Sequence, residues 1–524
     1  LLLNICAAPK NRAKLAVVEA ARALTIHTIQ NPAAFDGGMT HVGFRYLDTL
    51  NVRVAGASYC PQETVKERAA PANRCAHKIL WGFNMTNSRL RSAIVSVLAA
   101  GILAIPAQAL AQTGSPVDTG NTAWMLTATA LVLFMTLPGL ALFYGGLVRQ
   151  SNVLSVLMHC SAIACLVSVL WMVVGYSIAF GDGGAANAWF GGFGKSLLNG
   201  VSAQSTWGDI PETVFFMFQM TFAIITPALI IGAYPERIRF SAVLWFSGLW
   251  LLLVYAPVAH WVWGGGWLAK MGVRDFAGGL VVHTTCGVSA LISAWMLGAR
   301  DGFPHDVRPP HNPGLTMMGA AMLWVGWFGF NAGSALAAGT SAGMAMTVTH
   351  LAAATAALTW MTAEWIKFGK PSLIGTVTGM VAGLATVTPA SGFVSPASAL
   401  LLGLIAGIVC FYMVTLVKNR LGIDDTLDVF AVHGVGGMMG TILCGVLSSA
   451  GLGIFSGVGL GQGVTIGHQV WVQIVGVGAA GLWAGVGTVV LLLVLKAAIG
   501  LRVSPEEERQ GLDLSSHGEQ GYNL

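Results

Sequence analysis

The chain has 524 residues, of which 55% are hydrophobic and only 9% charged, with a formal net charge of +5. A soluble domain of this size carries roughly a quarter charged residues to cover its surface, so the composition excludes one and fits a polytopic membrane protein. Nearly half of the basic residues precede residue 112, and no basic face with interleaved aromatics follows, which argues against nucleic-acid binding.

Residues 1–84 carry scattered charge without helical or strand periodicity. From Met85 a different pattern starts. Arg89 and Arg91 precede the apolar run 93–106 and a small-residue Ala-Gln-Ala or Ala-Leu-Ala site at 107–111. That run is too short for a span, which needs about 20 residues, and it reads as a secretory signal peptide over 85–111. Translation is therefore expected to begin at Met85, with 1–84 a non-native upstream extension or a disordered one.

From Gln112 to about residue 500, apolar runs alternate with short breaks rich in Gly, Pro and charge. They predict eleven membrane helices, at about 121–145, 153–180, 212–233, 238–262, 276–298, 314–332, 343–366, 372–388, 396–417, 428–449 and 469–498. Arg149, Arg237, Arg239, Arg300, Arg308, Lys367, Lys370, Lys418 and Arg420 fall in alternate loops, with Lys496, Arg502 and Arg509 at the end. The other loops hold only Lys195, Lys270 and Arg274. The positive-inside rule puts the first set in the cytoplasm, the mature N-terminus outside and the 501–524 tail inside. The fold class is all-α, as two five-helix inverted repeats plus one extra helix. The fifth and tenth spans are the expected symmetry mates. Each carries a histidine after an aspartate: Asp275 before His283, and Asp428 before His433.

Ionisable groups inside a bilayer are costly and mark function by default. The spans hold His159, His260, His283, His350 and His433. His260 sits beside Trp261 and Trp263 and reads as interfacial; His159 and His350 have no symmetry partner and read as packing residues. His283 and His433 are the functional pair. Two neutral imidazoles sharing one proton form a polar rail in an apolar tube, suited to a small neutral hydride and unsuited to a hydrated metal ion. The rings of carboxylates or carbonyl filter of an ion channel are not evident. A second cluster is aromatic: Phe218 and Phe222 at i, i+4, Trp263 at the end of the fourth span, and Trp327, Phe328 and Phe330 before Asn331 and Ser334. Such faces attract cations by about 0.5–2 kcal/mol each, though aromatic stripes also serve as packing or interface belts.

No nucleophile–base pair, HExxH motif, CxxC pair or metal-ligand spacing is present, so an enzyme, a metal and a cofactor are not expected. Gly476, Gly478 and Gly481 spell GxGxxG inside an apolar helix with no preceding strand, a helix-packing pattern.

The segments ALVLFMTLPGLALFYGGLVR, GAYPERIRFSAVL, HWVWGGGWLAKMGVRDFAGGLVVH, GWFGFNAGSA, LATVTPASGFV, DVFAVHGVGG and GLRVSPEEERQGLDLSSHGE resemble the Amt/Mep/Rh ammonium transporters, most closely their bacterial Amt branch. The likeness runs from about Asn121 to the C-terminus and does not cover residues 1–84. It implies a homotrimer in the bacterial inner membrane, with one pore per subunit for ammonium, ammonia and methylammonium. By the same resemblance Trp263, Phe222 and Ser334 are an outer recruitment site, and Phe218 and Phe222 a stacked pair closing the pore mouth, with Phe330 nearby. His283 and His433 are the twin histidines, and Asp275 is a buried structural aspartate below the outer site. Trp327 and Thr388 match pore-region positions, and Thr378 stands where a serine is expected. The acidic tail, with Glu506, Glu507 and Glu508 in a row, reads alone as a solvated end. The resemblance implies that it packs under neighbouring subunits and helps couple to PII-type signal proteins. A sensor of the same fold is the alternative, and it would be expected to carry a further cytoplasmic signalling domain.

Overall fold

The computed structural model describes residues 117–306 and 308–523; the expected signal peptide and upstream extension lie outside them. Among the described residues ten helices are long and apolar enough to cross a membrane: α1 Thr119–Leu147, α2 Gln150–Phe180, α3 Glu212–Ala233, α4 Phe240–Met271, α5 Gly279–Leu297, α7 Thr340–Phe368, α8 Leu373–Ala390, α9 Pro396–Arg420, α10 Phe430–Leu447 and α11 Ile466–Ala498. The eleventh expected span is present as α6, Pro313–Trp327 continued by a π turn over Phe328–Ala332. Its tryptophans, glycines and Asn331 lower its hydropathy below that of the rest. The fold is thus an eleven-helix membrane bundle. The predicted boundaries agree to within a few residues, because hydropathy is the dominant constraint on a span, except that α4, expected to end at 262, runs on to Met271.

In α3, 89% of the most apolar stretch is buried inside the bundle, against 28% in α11. So α3 is central and α11 is a peripheral buttress against α5 and α10. Between α2 and α3 a two-residue antiparallel ladder pairs Thr206 with Pro211 and Trp207 with Ile210. Several helices widen into π turns. The one in α1, Met135–Leu140, contains Pro138, whose ring and missing N–H do not fit a regular α turn.

Helices α5 and α10 cross at bare backbone. A Cβ on Gly287 would fall 2.2 Å from the Cα of Gly434, and one on Gly437 would fall 2.6 Å from the Cβ of His283. Small residues let membrane helices approach this closely, and here the approach brings the two histidine-bearing turns together.

Of the loops expected to share one side, those carrying Arg149, Arg237 and Arg300 meet the 421–429 loop through the Arg149–Glu236, Arg300–Glu236 and Arg300–Asp424 pairs. Arg237 is fully buried there. Its Nε donates to the Gly298 carbonyl (2.9 Å), and its terminal nitrogens donate to Thr426 Oγ1 (2.7 Å) and to the carbonyls of Ala233 (2.9 Å) and Asp424 (2.8 Å). This clamps three interhelical loops. The tail is no free solvated end. Arg502 pairs with Glu508 at 2.8 Å, and Ser504 and Glu507 form a capping box for a short helix α12, Pro505–Gln510. A further helix α13, Leu512–His517, follows. Asp513 accepts from the backbone N–H groups of Ser155 (2.7 Å) and Leu154 (3.1 Å), capping the first turns of α2. These contacts lie within the chain's own subunit.

Candidate functional site

On the face away from the basic loops, α3, α4 and α6 surround a vestibule of about 280 Å3. Trp263 caps the Ala256–Val262 segment of α4, and its indole Nε1 donates to the Asp275 carbonyl at 2.8 Å, which holds the ring in place. Phe222 meets it edge-on, with centroids 5.9 Å apart. Ser334 Oγ donates to the Phe330 carbonyl at 2.8 Å and keeps its lone pairs for another donor. The lining contains aromatic faces and neutral polar groups but no carboxylate. Such a surface favours a small cation with N–H donors while offering it no fixed counter-ion.

Beneath it, Phe222 stacks on Phe330 with centroids 4.2 Å apart and planes 28° from parallel. This corrects the expected stacked pair. Phe218 meets Phe222 at 65° and packs instead into the gap at Gly333 on α6. Neighbouring turns of one helix set two rings side by side, whereas face-to-face stacking here requires a ring from the opposing helix.

Beyond these rings lie the two histidines. His283 Nδ1 and His433 Nδ1 are 3.2 Å apart, with ring planes 21° from parallel. Only one of the facing nitrogens can carry the proton, so one ring donates and the other accepts. Trp327 stacks on His283 at 5.5 Å, and its Nε1 donates to Thr388 Oγ1 at 2.9 Å. The cavity at the pair, about 10 Å3, is walled by Ile225, Val282, Leu323 and Trp327. That is near the least volume that holds one water-sized molecule.

Both histidines sit on π turns, Gly279–Thr284 and Phe430–Gly434. Asp275 holds the first turn with all four of its acceptor positions. Its Oδ1 accepts from Gly278 (2.8 Å) and Gly279 (2.6 Å), and its Oδ2 from Leu280 (2.8 Å) and Val281 (3.1 Å). The partner expected for it, Asp428, does something else: it pairs with Lys418 at 2.7 Å. The counterpart is Asp425, whose Oδ2 accepts from the Phe430 N–H at 2.7 Å at the head of α10. Asp425 lies eight residues before His433, as Asp275 lies eight before His283, and Gly287 and Gly437 each follow their histidine by four. The repeat was therefore present in the spacing and was obscured by the nearer aspartate.

Asp425 is buried, and burial together with the neighbouring Asp428 raises its carboxyl to about 7. The folded state then binds more protons than the unfolded chain between the ordinary carboxyl range and about 7, so stability falls as pH rises through that window. The thermal midpoint in detergent is expected to decline from pH 5 to pH 8, and Asp425→Asn to flatten that slope. An equal slope in the variant would assign it to other groups.

On the basic face lies a cavity of about 180 Å3 lined by Tyr144, Thr378, Arg300, Arg308, Lys418, Asp428 and His433. The other singled-out residues lie off it. Asn331 Nδ2 donates to Thr349 Oγ1 at 2.9 Å and ties α6 to α7. His260 is fully buried, with its ring nitrogens 2.9 Å from the Ala179 carbonyl and 2.7 Å from the Asn187 carbonyl. His159 stacks on Phe240 at 5.8 Å against His517 of the tail, and His350 stacks on Trp324 at 5.1 Å on the rim of the bundle. Gln219, which the sequence reading passed over, lines the vestibule. Phe215, Gln219 and Phe222 follow one another at i, i+4 and i+7, a spacing that marks one helix face.

A family model described as Ammonium Transporter Family matches residues 123–522. The chain belongs to that family. It is 48% identical over 410 residues to an ammonium transporter of Aquifex aeolicus, covering 78% of this chain and 94% of that one. It resembles the crystal structure of Saccharomyces cerevisiae Mep2 with a TM-score of 0.68 and 36% identity, over 75% of this chain and 89% of that one. It also resembles a structure described as a sensor Amt protein, with a TM-score of 0.69 and 29% identity, over 76% of this chain and 98% of that one. As a family member with this run of apolar helices, it is a multi-pass membrane protein.

Proposed function

We propose that this chain is an ammonium transporter of the bacterial inner membrane, with the Trp263 vestibule outside and the tail in the cytoplasm. The observation that carries the reading is the succession of three adjacent features: a carboxylate-free aromatic vestibule, a stacked phenylalanine pair and two histidines 3.2 Å apart. Ammonium is drawn to Trp263, Phe222 and Ser334 by cation–π attraction and hydrogen bonding. Potassium, of similar size, is recruited with little discrimination there. It is rejected deeper, because it cannot give up a proton and a bare cation crosses an apolar tube only at great cost. Near the phenylalanine gate ammonium passes its proton to water of the outer vestibule. Ammonia then passes along His283 and His433 and takes up a proton from water at the basic face. Methylammonium fits the same chemistry.

The assay is uptake of ammonium or methylammonium into proteoliposomes. Trp263→Leu removes one cation–π face and is expected to raise KM by about 2- to 30-fold, the equivalent of about 0.5–2 kcal/mol, with kcat little changed. An unchanged KM would remove Trp263 from recruitment. The functional unit in this proposal is a homotrimer whose basic face and tail receive a PII-type signal protein. The likeness to a sensor Amt protein supports a second reading, an ammonium sensor. Ammonium binding without flux would favour that reading over transport.

A further inference from the structure

Gln219 stands apart from the other polar residues of the vestibule. It is only 8% exposed, and its Oε1 is buried with no hydrogen-bond partner among the described residues. A buried amide oxygen without a partner loses the free energy of its bond to water, so such groups are uncommon where they serve only packing. Its position gives it a use. On α3 it lies between Phe215 and Phe222, and all three side chains line the cavity that holds Trp263 and Ser334. The terminal torsion of a glutamine amide is broad and soft, so the oxygen can turn toward the cavity without leaving a favoured rotamer.

We infer that Gln219 is a further ammonium-binding residue of the vestibule, its amide oxygen accepting an N–H from the cation that Trp263 and Phe222 hold by their faces. Ser334 Oγ, whose hydrogen is committed to the Phe330 carbonyl, supplies a second acceptor. The site then combines aromatic faces with two neutral oxygen acceptors. A neutral amide suits a carrier better than a carboxylate would, since a fixed negative charge would hold the cation and attract sodium or potassium equally well. The inference rests on the outer-site reading above, and the two can fail separately.

The test measures methylammonium uptake in proteoliposomes for the full chain and for Gln219→Leu, Gln219→Glu and Trp263→Leu. Gln219→Leu is expected to raise KM about tenfold or more, the size of a hydrogen bond to a charged group, with kcat within about twofold. Gln219→Glu keeps the acceptor and adds charge. It is expected to recover most of the affinity and to make uptake several times more sensitive to potassium. If Trp263→Leu raises KM and Gln219→Leu does not, the inference falls and the outer site stands. If neither moves KM, the outer site itself is misplaced and Gln219 falls with it. A fall in kcat alone would make Gln219 a packing residue and overturn the inference. Should Gln219→Leu fail to fold, judged by its thermal midpoint, Gln219→Met carries the same comparison.

Discussion

His433→Leu is expected to cut ammonium flux at least about tenfold while leaving the protein folded. The side chains are of similar bulk, and the site is an apolar enclosure walled by Ile225, Val282, Leu323 and Trp327. The variant removes one half of a hydrogen-bonded pair whose nitrogens are 3.2 Å apart. An unpaired buried polar atom costs about 1–3 kcal/mol, and here the loss falls on both the histidine left behind and the ammonia in transit. His283 already has Nε2 buried without a partner among the described residues, so the variant removes the one hydrogen bond its ring makes there. Flux in proteoliposomes, normalised to protein with an unchanged thermal midpoint, gives the result. Flux close to that of the parent protein would mean that the histidines are packing residues.

Asp275→Ala is expected to act earlier, on the fold of the site itself. Four backbone N–H groups at the head of α5 end on this carboxylate, and no water can replace it in a position that is 6% exposed. Each unsatisfied donor costs about 1–3 kcal/mol, so the total rivals the about 5–15 kcal/mol that holds a typical domain together. The same residue's carbonyl anchors the Trp263 indole, so the loosened segment also releases the vestibule. The expected outcome is poor accumulation in the membrane, with a thermal midpoint lowered by about 5–10 °C in any purified fraction. Asp275→Asn keeps one acceptor oxygen and should lie between the two. If Asp275→Ala accumulates normally and loses only transport, the carboxylate acts on the ion directly.

Much of this was legible in the linear pattern. Eleven apolar runs separated by short polar breaks specify a helical bundle, because a bilayer interior lets a spanning chain satisfy its backbone groups only within helices or closed barrels. His283 and His433 stand out by the cost of burying an ionisable group, and Trp263, Phe222 and Ser334 by the family resemblance. The resemblance pairs Phe218 with Phe222, and nearness in sequence pairs Asp428 with His433. Stacking and capping depend instead on direction in space, which places Phe330 on Phe222 and Asp425 at the head of α10. Gln219 was missed because glutamine beside phenylalanines carries no signal until its neighbours leave its oxygen unpartnered.

The division follows from what each level can encode. Hydropathy and the scarcity of buried charge act locally, so the chain alone settles that it crosses a membrane repeatedly, roughly where each crossing falls, and which few polar residues are too costly to be incidental. Contacts between helices far apart in sequence depend on how closely their backbones approach. Gly287 against Gly434, and Gly437 against His283, permit the approach that sets two imidazoles 150 residues apart at hydrogen-bond distance. That juxtaposition, the Phe222–Phe330 stack and the orphaned oxygen of Gln219 exist only once the bundle has closed.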